Sequence, residues 1–511
     1  MGKSPLFTDF YELTMASAYY QTHKKDENSV FELFFRKCPF GGEFAVVAGH
    51  DQIKEALENF SFKKDELTYL KKQPVFSHSD PAFFKFLENL DLDDVEIYGF
   101  PEGSIVFPHE PLIQVRGPLI KVQLLESMLL NHLNFATLIA TLARRSWLIA
   151  EGKALVEFGM RRAQGPNGAM MATRSSYIGG FSATSNSLAG YKYHIPVVGT
   201  MAHSFVQSFF EIRPESLEWN GHSIVPQLEQ IKLEDGLSTN EGELGAFIAY
   251  AKLFPDTATL LVDTYNSLNS GIPNALRVFK LLRAFGHRPY GIRLDSGDMA
   301  YLSIEARKML DSANFKEIKI FSSNEIDEKI ILALNEQGAK IDAYGIGTKL
   351  VTSAMDPSLG GVYKLVEING RPRIKISDQP TKRTIPASKR IYRISGKDKT
   401  YLMDILTHEN ETPPKPGEKL LVHHPFFDQM KAEVIPSHVE QMLRPLFIKG
   451  QWKGETNLEY TREWSLQEMK KMRADIIRHQ NPTPYKVAVS HDLKQLMDKI
   501  YSKEMGTTIL R

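Results

Sequence analysis

The sequence contains one cysteine, Cys38, among 511 residues, so no disulfide can form within the chain. Such scarcity is typical of proteins that work in a reducing compartment or are indifferent to redox state. Neither sign of charge is in excess, because 62 Lys and Arg side chains are balanced by 61 Asp and Glu side chains. The chain therefore has no global field that would draw it to nucleic acid or to an anionic membrane, and a bound anion must be held by local groups.

The sequence also lacks a long hydrophobic run free of charge and any low-complexity segment. Its most apolar stretch, residues 119–150, includes Lys121, Glu126, His132, Arg144 and Arg145. That pattern predicts an amphipathic helix and excludes a membrane span. The first residues have no apolar core of signal-peptide length. We expect a cytoplasmic protein with no membrane segment and no nucleic-acid partner.

A repeated unit occupies the middle of the chain: a short apolar run, a polar cluster, and then a helical pattern. The runs and clusters read TLLVDTYNS, YGIRLDSGD, IKIFSSNEID and AYGIGTKL, with an earlier candidate in IPVVGTMAHS. Strands that alternate with helices in this way predict βα units, a parallel sheet and an α/β fold. A (β/α) barrel and an open doubly wound sheet share this local pattern. In both, residues that follow the strands converge on one face.

The regions on either side differ in character. Residues 31–117 contain short β-rich runs separated by Pro and Gly, which predict a mixed α+β region. From residue 371 onward the chain is charged and punctuated by Pro. We therefore predict an N-terminal α+β domain at 1–125, a barrel-like domain at 126–366, and a C-terminal region at 367–511 that packs partly on the N-terminal domain.

The segment GIRLDSGD places Arg293, Asp295 and Asp298 directly after a predicted strand. Arg293 and Asp295 are two residues apart, so in an extended backbone they point to the same face. A guanidinium beside carboxylates suits a ligand that bears anionic oxygens, hydroxyls and a divalent cation. The alternative is a surface ion-pair cluster that caps the next helix.

Two further strand ends carry candidate catalytic groups. His203, in GTMAHSF, can act there as a base, a ligand or a nucleophile; the alternative is a structural histidine. No second histidine lies at metal-ligand spacing, so zinc is not expected. Asp263, in LLVDTYNS, can hold ribose hydroxyls or Mg²⁺ together with Asp295, or can cap a helix.

A Gly-x-Gly-Thr turn follows the last strand of the series. Its backbone amides, at Gly345, Gly347 and Thr348, can approach a phosphate, and the threonine hydroxyl can add a bond. Arg161 and Arg162, in FGMRRAQGPNG, are a candidate diphosphate clamp, although adjacent arginines are often merely solvated.

Two aromatic residues are candidates for stacking on a ring. Phe158 comes three residues before the first of these arginines. Tyr11, in TDFYELTM, can lie flat against an aromatic ring or can simply hold the N-terminal segment in place. Taken together, the residues favour an enzyme that binds a phosphosugar.

Seven segments in the same order resemble the nicotinate phosphoribosyltransferase family. They are TDFYELTM, EFGMRRAQG, GTMAHSF, LVDTYNS, GIRLDSGD, YGIGTKLVTS and GGVYKLVE, and PYKVAVSHDL extends the match toward the C-terminus. The resemblance implies a homodimeric type II phosphoribosyltransferase with an irregular, incomplete (β/α) barrel and a shared active site. Its members join nicotinate to phosphoribosyl diphosphate, forming nicotinate mononucleotide and pyrophosphate, with ATP as co-substrate and Mg²⁺ as cofactor.

The resemblance also implies roles for individual residues. His203 would be catalytic and would become the phosphohistidine that couples ATP hydrolysis to transfer. Arg293, Asp263 and Asp295 would also be catalytic, with the two carboxylates addressing the ribose or the magnesium diphosphate. The substrate-binding residues would be Phe158 and Tyr11 on the pyridine ring, Tyr11 coming from the neighbouring subunit; Arg293 and Thr200 near nicotinate; Gly345, Gly347 and Thr348 at the 5-phosphate; and Arg161 at the diphosphate or carboxylate.

Two other functions compete with this reading. A nicotinamide-specific transferase would need a carboxamide-binding group, whereas TDFYELTM and RRAQG favour the acid. A catalytically silent scaffold that binds a nucleotide would not need His203, Arg293 and Asp295 together.

Overall fold

The computed structural model describes residues 4–231, 238–377, 379 and 382–505. The chain forms two compact units: Met1–Leu142 together with Met355–Arg511, here called the outer unit, and Ala143–Ala354, the central unit. The boundary falls inside the long helix Glu126–Ile149. The three-region division proposed above stays a prediction beside this two-unit description.

The strands in chain order are β1 (Asn28–Phe34), β2 (Ala45–Val46), β3 (Glu96–Gly99), β4 (Ile105–Val106), β5 (Ile113–Pro118), β6 (Ala154–Glu157), β7 (Ala183–Thr184), β8 (Glu218–Trp219), β9 (His222–Ser223), β10 (Thr259–Leu261), β11 (Gly291–Leu294), β12 (Lys319–Ser323), β13 (Ala343–Ile346), β14 (Val362–Ile368), β15 (Arg371–Pro372), β16 (Lys389–Ser395), β17 (Tyr401–His408), β18 (Leu420–His423), β19 (Lys431–Val434), β20 (His438–Gln441), β21 (Arg444–Ile448), β22 (Gln451–Trp452) and β23 (Lys486–Ser490).

The α-helices in chain order are α1 (Phe10–Gln21), α2 (His50–Glu58), α3 (Lys64–Lys71), α4 (Pro81–Glu88), α5 (Leu119–Gln123), α6 (Glu126–Ile149), α7 (Gly165–Ile178), α8 (Ser187–Tyr193), α9 (His203–Gln207), α10 (Val225–Gln230), α11 (Glu241–Leu253), α12 (Ile272–Ala284), α13 (Met299–Ser312), α14 (Glu328–Glu336), α15 (Thr348–Val351), α16 (Leu458–Lys470), α17 (Ala474–Ile477) and α18 (His491–Met505). A π-helical turn, Ser267–Gly271, precedes α12 directly.

The outer unit contains two larger sheets. In the first, the strand order is β15-β14-β1-β5-β3-β21-β22 and all neighbours are antiparallel. Its three middle strands, β1, β5 and β3, come from the early part of the chain and are flanked by later strands: β1 pairs with β14, and β3 pairs with β21. The second sheet, β19-β18-β23-β17-β16-β20, is built from the C-terminal region alone and includes one parallel pair, β17 with β23.

The central unit is organised by a parallel sheet in the order β10-β11-β12-β13-β6-β7. Each strand lies beside the next one in the chain, and β13 returns to β6, the first. A single parallel bridge from Thr184 to Val197 extends the sheet beyond β7. This cyclic order is that of a (β/α) barrel left incomplete between Val197 and β10, which agrees with the predicted α/β, barrel-like core.

Burial explains why short apolar runs became strands here. Leu260, Ile292 and Ile320, on three adjacent strands, are fully buried in one hydrophobic cluster with residues of α11, α12 and α13. Strands covered on both faces read as continuous apolar runs, as these do. At roughly 25 cal/mol per Å² of apolar area, each such side chain contributes about 1.5–3 kcal/mol to stability.

Local capping rules fixed several helix starts. The side chain of Asp327 accepts a hydrogen bond from Ile330 N and so begins α14. Asp298 caps α13 by accepting from Tyr301 N. The strand expected at 195–199 is reduced to the one bridge at Val197. None of the helices among the described residues has the length and apolarity needed to cross a membrane.

Candidate active site

The carboxyl ends of the parallel strands bring the predicted residues of the central unit to one edge. Arg293 lies in β11, and Asp295 follows that strand directly. Asp263 comes after β10 and is separated from it by Val262 alone, and Gly345 lies near the end of β13. Parallel strands present their carboxyl ends on the same side, which is where (β/α) proteins place their ligands. The contacts below show which of these residues meet.

Arg293 is the centre of the arrangement. Its Nε donates to Ser323 Oγ at 2.8 Å, its Nη1 to Thr200 Oγ1 at 3.0 Å and its Nη2 to Asp295 Oδ1 at 2.9 Å. Arginine holds several partners at once because its five N–H donors are fixed in one plane. The guanidinium therefore joins β11, the end of β12 and the segment before α9 in one hydrogen-bonded group.

The two carboxylates are linked through the backbone. Asp263 Oδ2 accepts from Asp295 N at 2.9 Å and from Ser296 Oγ at 2.6 Å. Asp295 Oδ1 accepts from Ser323 Oγ as well as from Arg293. The other oxygen of Asp263, Oδ1, is buried and has no hydrogen-bond partner among the described residues. Asp263 therefore has one oxygen fixed by protein donors, and its side chain as a whole is partly exposed at the strand end.

His203 lies at the first position of α9, beside this pair. Its Nδ1 is 3.1 Å from Thr264 Oγ1, and its Nε2 is 3.8 Å from Asp295 Oδ2. The side chain is 39% exposed, so the imidazole is held on two sides while part of the ring stays accessible. A positioned, accessible imidazole can act as a nucleophile or a base.

Phe158 forms an aromatic wall next to the arginine. Its ring centroid is 5.7 Å from Arg293 Cζ, within the range of a cation–π contact. The ring lies over Gly345, where an added Cβ would fall inside the van der Waals radii of Phe158 Cδ2 and Cε2. The glycine at 345 thus leaves the room that the phenyl ring occupies.

Replacing Gly345 with alanine should lower the free energy of unfolding by about 1–3 kcal/mol, because the new methyl group overlaps a packed ring. Urea denaturation of the purified variant and of the wild-type protein measures this change. Gly168→Ala in α7 is the matched control, since its Cβ meets only Gln164 Cβ at 3.9 Å and alanine favours a helix interior. Equal stability of the two variants would contradict the packing argument.

A buried carboxylate, Glu157, organises the turn that carries Phe158. It is fully buried and accepts hydrogen bonds from Gly159 N, from Thr173 Oγ1 at 2.9 Å and from Thr184 Oγ1 at 2.6 Å. A buried acceptor with this many donors is a rigid anchor. Glu157 therefore fixes the path of the chain from β6 into the Phe158 turn.

The Gly-x-Gly-Thr turn lies against that same segment. A Cβ on Gly159 would meet Gly347 O at 2.9 Å and the side chain of Val351, so the two loops approach backbone to backbone. Thr348 begins the short helix α15, with Gly347 as its N-terminal flank. The structure thus brings the predicted phosphate turn next to Phe158.

Arg161 and Arg162 lie in a surface 3-10 turn, Met160–Arg162, in which no residue is buried. Neither side chain has an ion pair with another described residue. Asp298, which the sequence grouped with Arg293, is committed to capping α13 and does not join the network.

Tyr11 belongs to the outer unit. It lies on α1 with 46% of its surface exposed, next to Glu12, whose Oε1 accepts from Ser127 N at 3.1 Å and also from Ser127 Oγ. Burial raises the pKa of the Tyr11 hydroxyl, and the charges of Glu126 and Glu12 raise it further. The phenol stays protonated at neutral pH.

The acidic pair was also the predicted Mg²⁺ site. No group of three or more His, Cys, Asp or Glu side chains within the described ranges is arranged to hold a metal ion. Mg²⁺ commonly keeps several waters and uses one or two carboxylates plus substrate phosphates. The pair Asp263 and Asp295 fits that kind of site and not an all-protein cage.

Several contacting residues were not singled out from the sequence: Thr264, Ser296, Ser323 and Glu157. Ser323 lies at the end of an apolar strand, as the predicted residues do, so the same argument from position could have singled it out. Thr264 directly follows Asp263. Serine and threonine are common in turns, and only the neighbouring strand shows which of them face a site.

The fold and the strand-end groups define an α/β enzyme scaffold suited to an anionic, hydroxyl-bearing substrate. A model described as the nicotinate phosphoribosyltransferase (NAPRTase) family matches residues 153–409, and models of the N-terminal and C-terminal domains of nicotinate phosphoribosyltransferase match residues 6–134 and 388–497. The chain belongs to the nicotinate phosphoribosyltransferase family.

Individual relatives match over nearly their whole length. Nicotinate phosphoribosyltransferase 2 of Arabidopsis thaliana is 44% identical over 98% of this chain and 95% of its own, and the Homo sapiens nicotinate phosphoribosyltransferase is 40% identical over 97% and 96%. The crystal structure of human nicotinic acid phosphoribosyltransferase superposes with a TM-score of 0.86 at 38% identity, covering 96% of this chain and 99% of that one.

Proposed function

We propose that this chain joins nicotinate to the ribose of 5-phosphoribosyl 1-diphosphate, giving nicotinate mononucleotide and pyrophosphate in the salvage route to NAD, and that ATP hydrolysis through a phosphorylated His203 is coupled to the transfer. The family membership supports the substrates. The single observation that carries the chemistry is the hydrogen-bonded group in which Arg293, Asp295 and Asp263 lie beside His203.

In the proposed transfer, the bond from ribose C1 to the diphosphate breaks and the pyridine nitrogen forms a new bond to C1. Positive charge develops on the sugar and negative charge on the leaving diphosphate. Carboxylates aimed at the sugar and cations aimed at the diphosphate stabilise that charge separation most when it is largest. Asp263, partly exposed at the end of β10, is the carboxylate offered to the sugar side.

Arg293 and Phe158 would bind the second substrate. The aromatic wall suits the flat pyridine ring, and a guanidinium suits the carboxylate of nicotinate, which nicotinamide lacks. Thr200, which accepts from Arg293 Nη1, would orient the guanidinium there. Gly345, Gly347 and Thr348 would receive the 5-phosphate, with Arg161 at the rim for the diphosphate or carboxylate.

Mg²⁺ would be held by Asp263, with Asp295 nearby, and mainly by the diphosphate itself. When bound, it would neutralise charge on the leaving group. What the protein supplies is the orientation of the acidic pair: Asp263 Oδ2 is fixed by Asp295 N and Ser296 Oγ.

The ATP-coupled step would use the imidazole as a nucleophile toward the γ-phosphorus of ATP. ADP leaves, the phosphoryl group stays on His203, and water later removes it as phosphate. The modification adds close to two negative charges beside the diphosphate position, which is enough to shift nearby cationic side chains. The contact between Nδ1 and Thr264 sets the orientation of the ring.

Replacing Thr264 with valine should slow phosphorylation of His203 by about twofold to tenfold, since one hydrogen bond worth about 0.5–1.5 kcal/mol is lost without a change of shape. The initial rate of acid-labile labelling from γ-labelled ATP measures it. Thr264→Ser keeps the hydroxyl and should label at close to the wild-type rate. If valine and serine variants label equally fast, the hydroxyl does not orient the imidazole.

The decisive assay measures pyrophosphate release from phosphoribosyl diphosphate with nicotinate or nicotinamide, each with and without ATP. Release with nicotinate that ATP accelerates is the expected result. Turnover of nicotinamide alone would assign the amide-specific reaction instead. Binding of the substrates without any release would support a silent scaffold.

We also propose a cytoplasmic homodimer in which Tyr11 serves the site of the neighbouring subunit. The exposed position of Tyr11 on α1 supports this arrangement, because its ring is available to a second chain. Sedimentation equilibrium of the purified protein tests the dimer directly.

A further inference from the structure

A second buried carboxylate, Glu243, lies behind Asp263 in the central unit. It is fully buried, and its Oε2 accepts from Ser270 Oγ at 2.6 Å and from Asn274 Nδ2 at 3.0 Å. Its other oxygen, Oε1, is buried without a partner among the described residues. Burying a carboxyl group with one oxygen hydrogen-bonded and the other unpaired costs free energy, so a specific role for this group should be sought.

The network of Glu243 clamps the π-helical turn Ser267–Gly271 to the start of α11. Ser270 Oγ accepts from Asn240 N at 2.9 Å, and Asn274 Nδ2 donates to Asn240 O at 3.0 Å. Asn240 in turn caps α11 by accepting from Glu243 N at 2.8 Å. The helix start and the turn are thus held by one closed set of hydrogen bonds.

The same turn governs the strand end that carries Asp263. A Cβ on Gly271 would overlap Val262 O, so the π-turn lies directly against the residue before Asp263. Thr264, which contacts His203, is in the short connection between Asp263 and the turn. Single π-turns are uncommon and cluster at functional sites, where they re-aim neighbouring side chains.

Charge links the two acids as well. Burial raises the pKa of Glu243, the hydrogen bonds from Ser270 and Asn274 lower it, and the charge of Asp263 raises it. The net effect is a pKa above the ordinary value of a glutamate, and the contribution from Asp263 links Glu243 electrostatically to the strand end.

We propose that Glu243 is a positioning residue for Asp263 and Thr264: through Ser270 and Asn274 it fixes the π-turn, and the turn fixes the strand end that faces phosphoribosyl diphosphate. This assignment rests on the proposed function for the identity of the ligand. Nicotinate, whose proposed partners are Arg293 on β11 and Phe158 in the turn after β6, should be bound independently of Glu243.

The test compares Glu243→Ala, Glu243→Gln and Ser270→Ala by calorimetric titration with phosphoribosyl diphosphate and, separately, with nicotinate. The alanine variants should raise the Kd for phosphoribosyl diphosphate by about 10-fold to 100-fold, since small displacements of a binding group have effects of this size. The Kd for nicotinate should stay within about twofold. Glu243→Gln, which keeps an oxygen that can accept from Ser270 and Asn274, should retain wild-type binding.

Ser303→Ala is the matched control. Ser303 is also fully buried in the central unit, and its hydroxyl bonds Ala300 O at 3.0 Å and Lys340 N at 3.1 Å, away from the π-turn. Hydrogen exchange of residues 264–274 provides a second measurement: it should accelerate in Ser270→Ala and not in Ser303→Ala. If Glu243→Ala does not fold, Ser270→Ala and Glu243→Gln carry the comparison.

Equal losses for both ligands, the same loss in Ser303→Ala, or unchanged binding in Ser270→Ala would overturn the assignment. A wild-type protein that binds phosphoribosyl diphosphate but forms no mononucleotide would refute the proposed function, while the differential Kd would still support Glu243. A wild-type protein that does not bind phosphoribosyl diphosphate would overturn both.

Discussion

Replacing His203 with alanine should abolish acid-labile labelling of the protein by γ-labelled ATP and remove the acceleration of transfer by ATP. The imidazole is the phosphoryl acceptor in the proposed coupling, and it lies between Thr264 and Asp295. Transfer without ATP should persist, because Arg293, Asp263 and Phe158 keep their positions. The measurements are label incorporation and pyrophosphate release at matched concentrations of phosphoribosyl diphosphate.

The control for this experiment is His287→Ala. His287 lies in the same central unit, half-buried and 3.4 Å from Asp256, and it takes no part in the strand-end network. Full labelling in His287→Ala with none in His203→Ala is the predicted pair of results. Undiminished labelling in His203→Ala would show that another residue accepts the phosphoryl group. Loss of label with undiminished stimulation by ATP would show that the coupling does not require phosphorylation of His203.

Replacing Arg293 with alanine should lower kcat/KM for nicotinate by about 100-fold or more. Truncating one partner of a hydrogen-bonded, largely buried charge pair costs about 2–5 kcal/mol, much of it from the partner left behind. Here Asp295, Ser323 and Thr200 would each lose a donor. Arg293→Lys should recover little, because an ammonium cannot reproduce the planar fork that contacts three elements at once.

The control for Arg293 is Arg283→Ala in the same unit. Arg283 donates to Asn314 O at 2.7 Å and forms an ion pair with Glu317 on the surface. Its loss should change kcat/KM by less than about threefold, since exposed pairs contribute about 0–1 kcal/mol. Comparable losses in both variants would show that Arg293 acts through stability alone. Thermal unfolding of each variant measures that contribution.

Most elements of the central unit follow from local sequence. Short apolar runs predicted strands at the places of β10 to β13, because a strand buried on both faces needs apolar residues throughout. Asp327 caps the start of α14 and Gly338 follows its end, which are residue types that local capping rules favour at those places. The pair Arg293 and Asp295 was likewise foreseeable, since alternate residues of a strand share a face.

Which strand ends meet depends on long-range packing. Parallel pairing aligns Leu294 with Ser322, which brings Ser323 to Arg293, and no local rule sets that register. The same holds for β1 and β14, where Ser29 lies opposite Ile368. The hydrogen bonds that hold the π-turn against α11 likewise join residues far apart in the chain, so local sequence does not specify them. Local sequence therefore specified the segments and several candidate side chains, while packing and strand register specified their contacts.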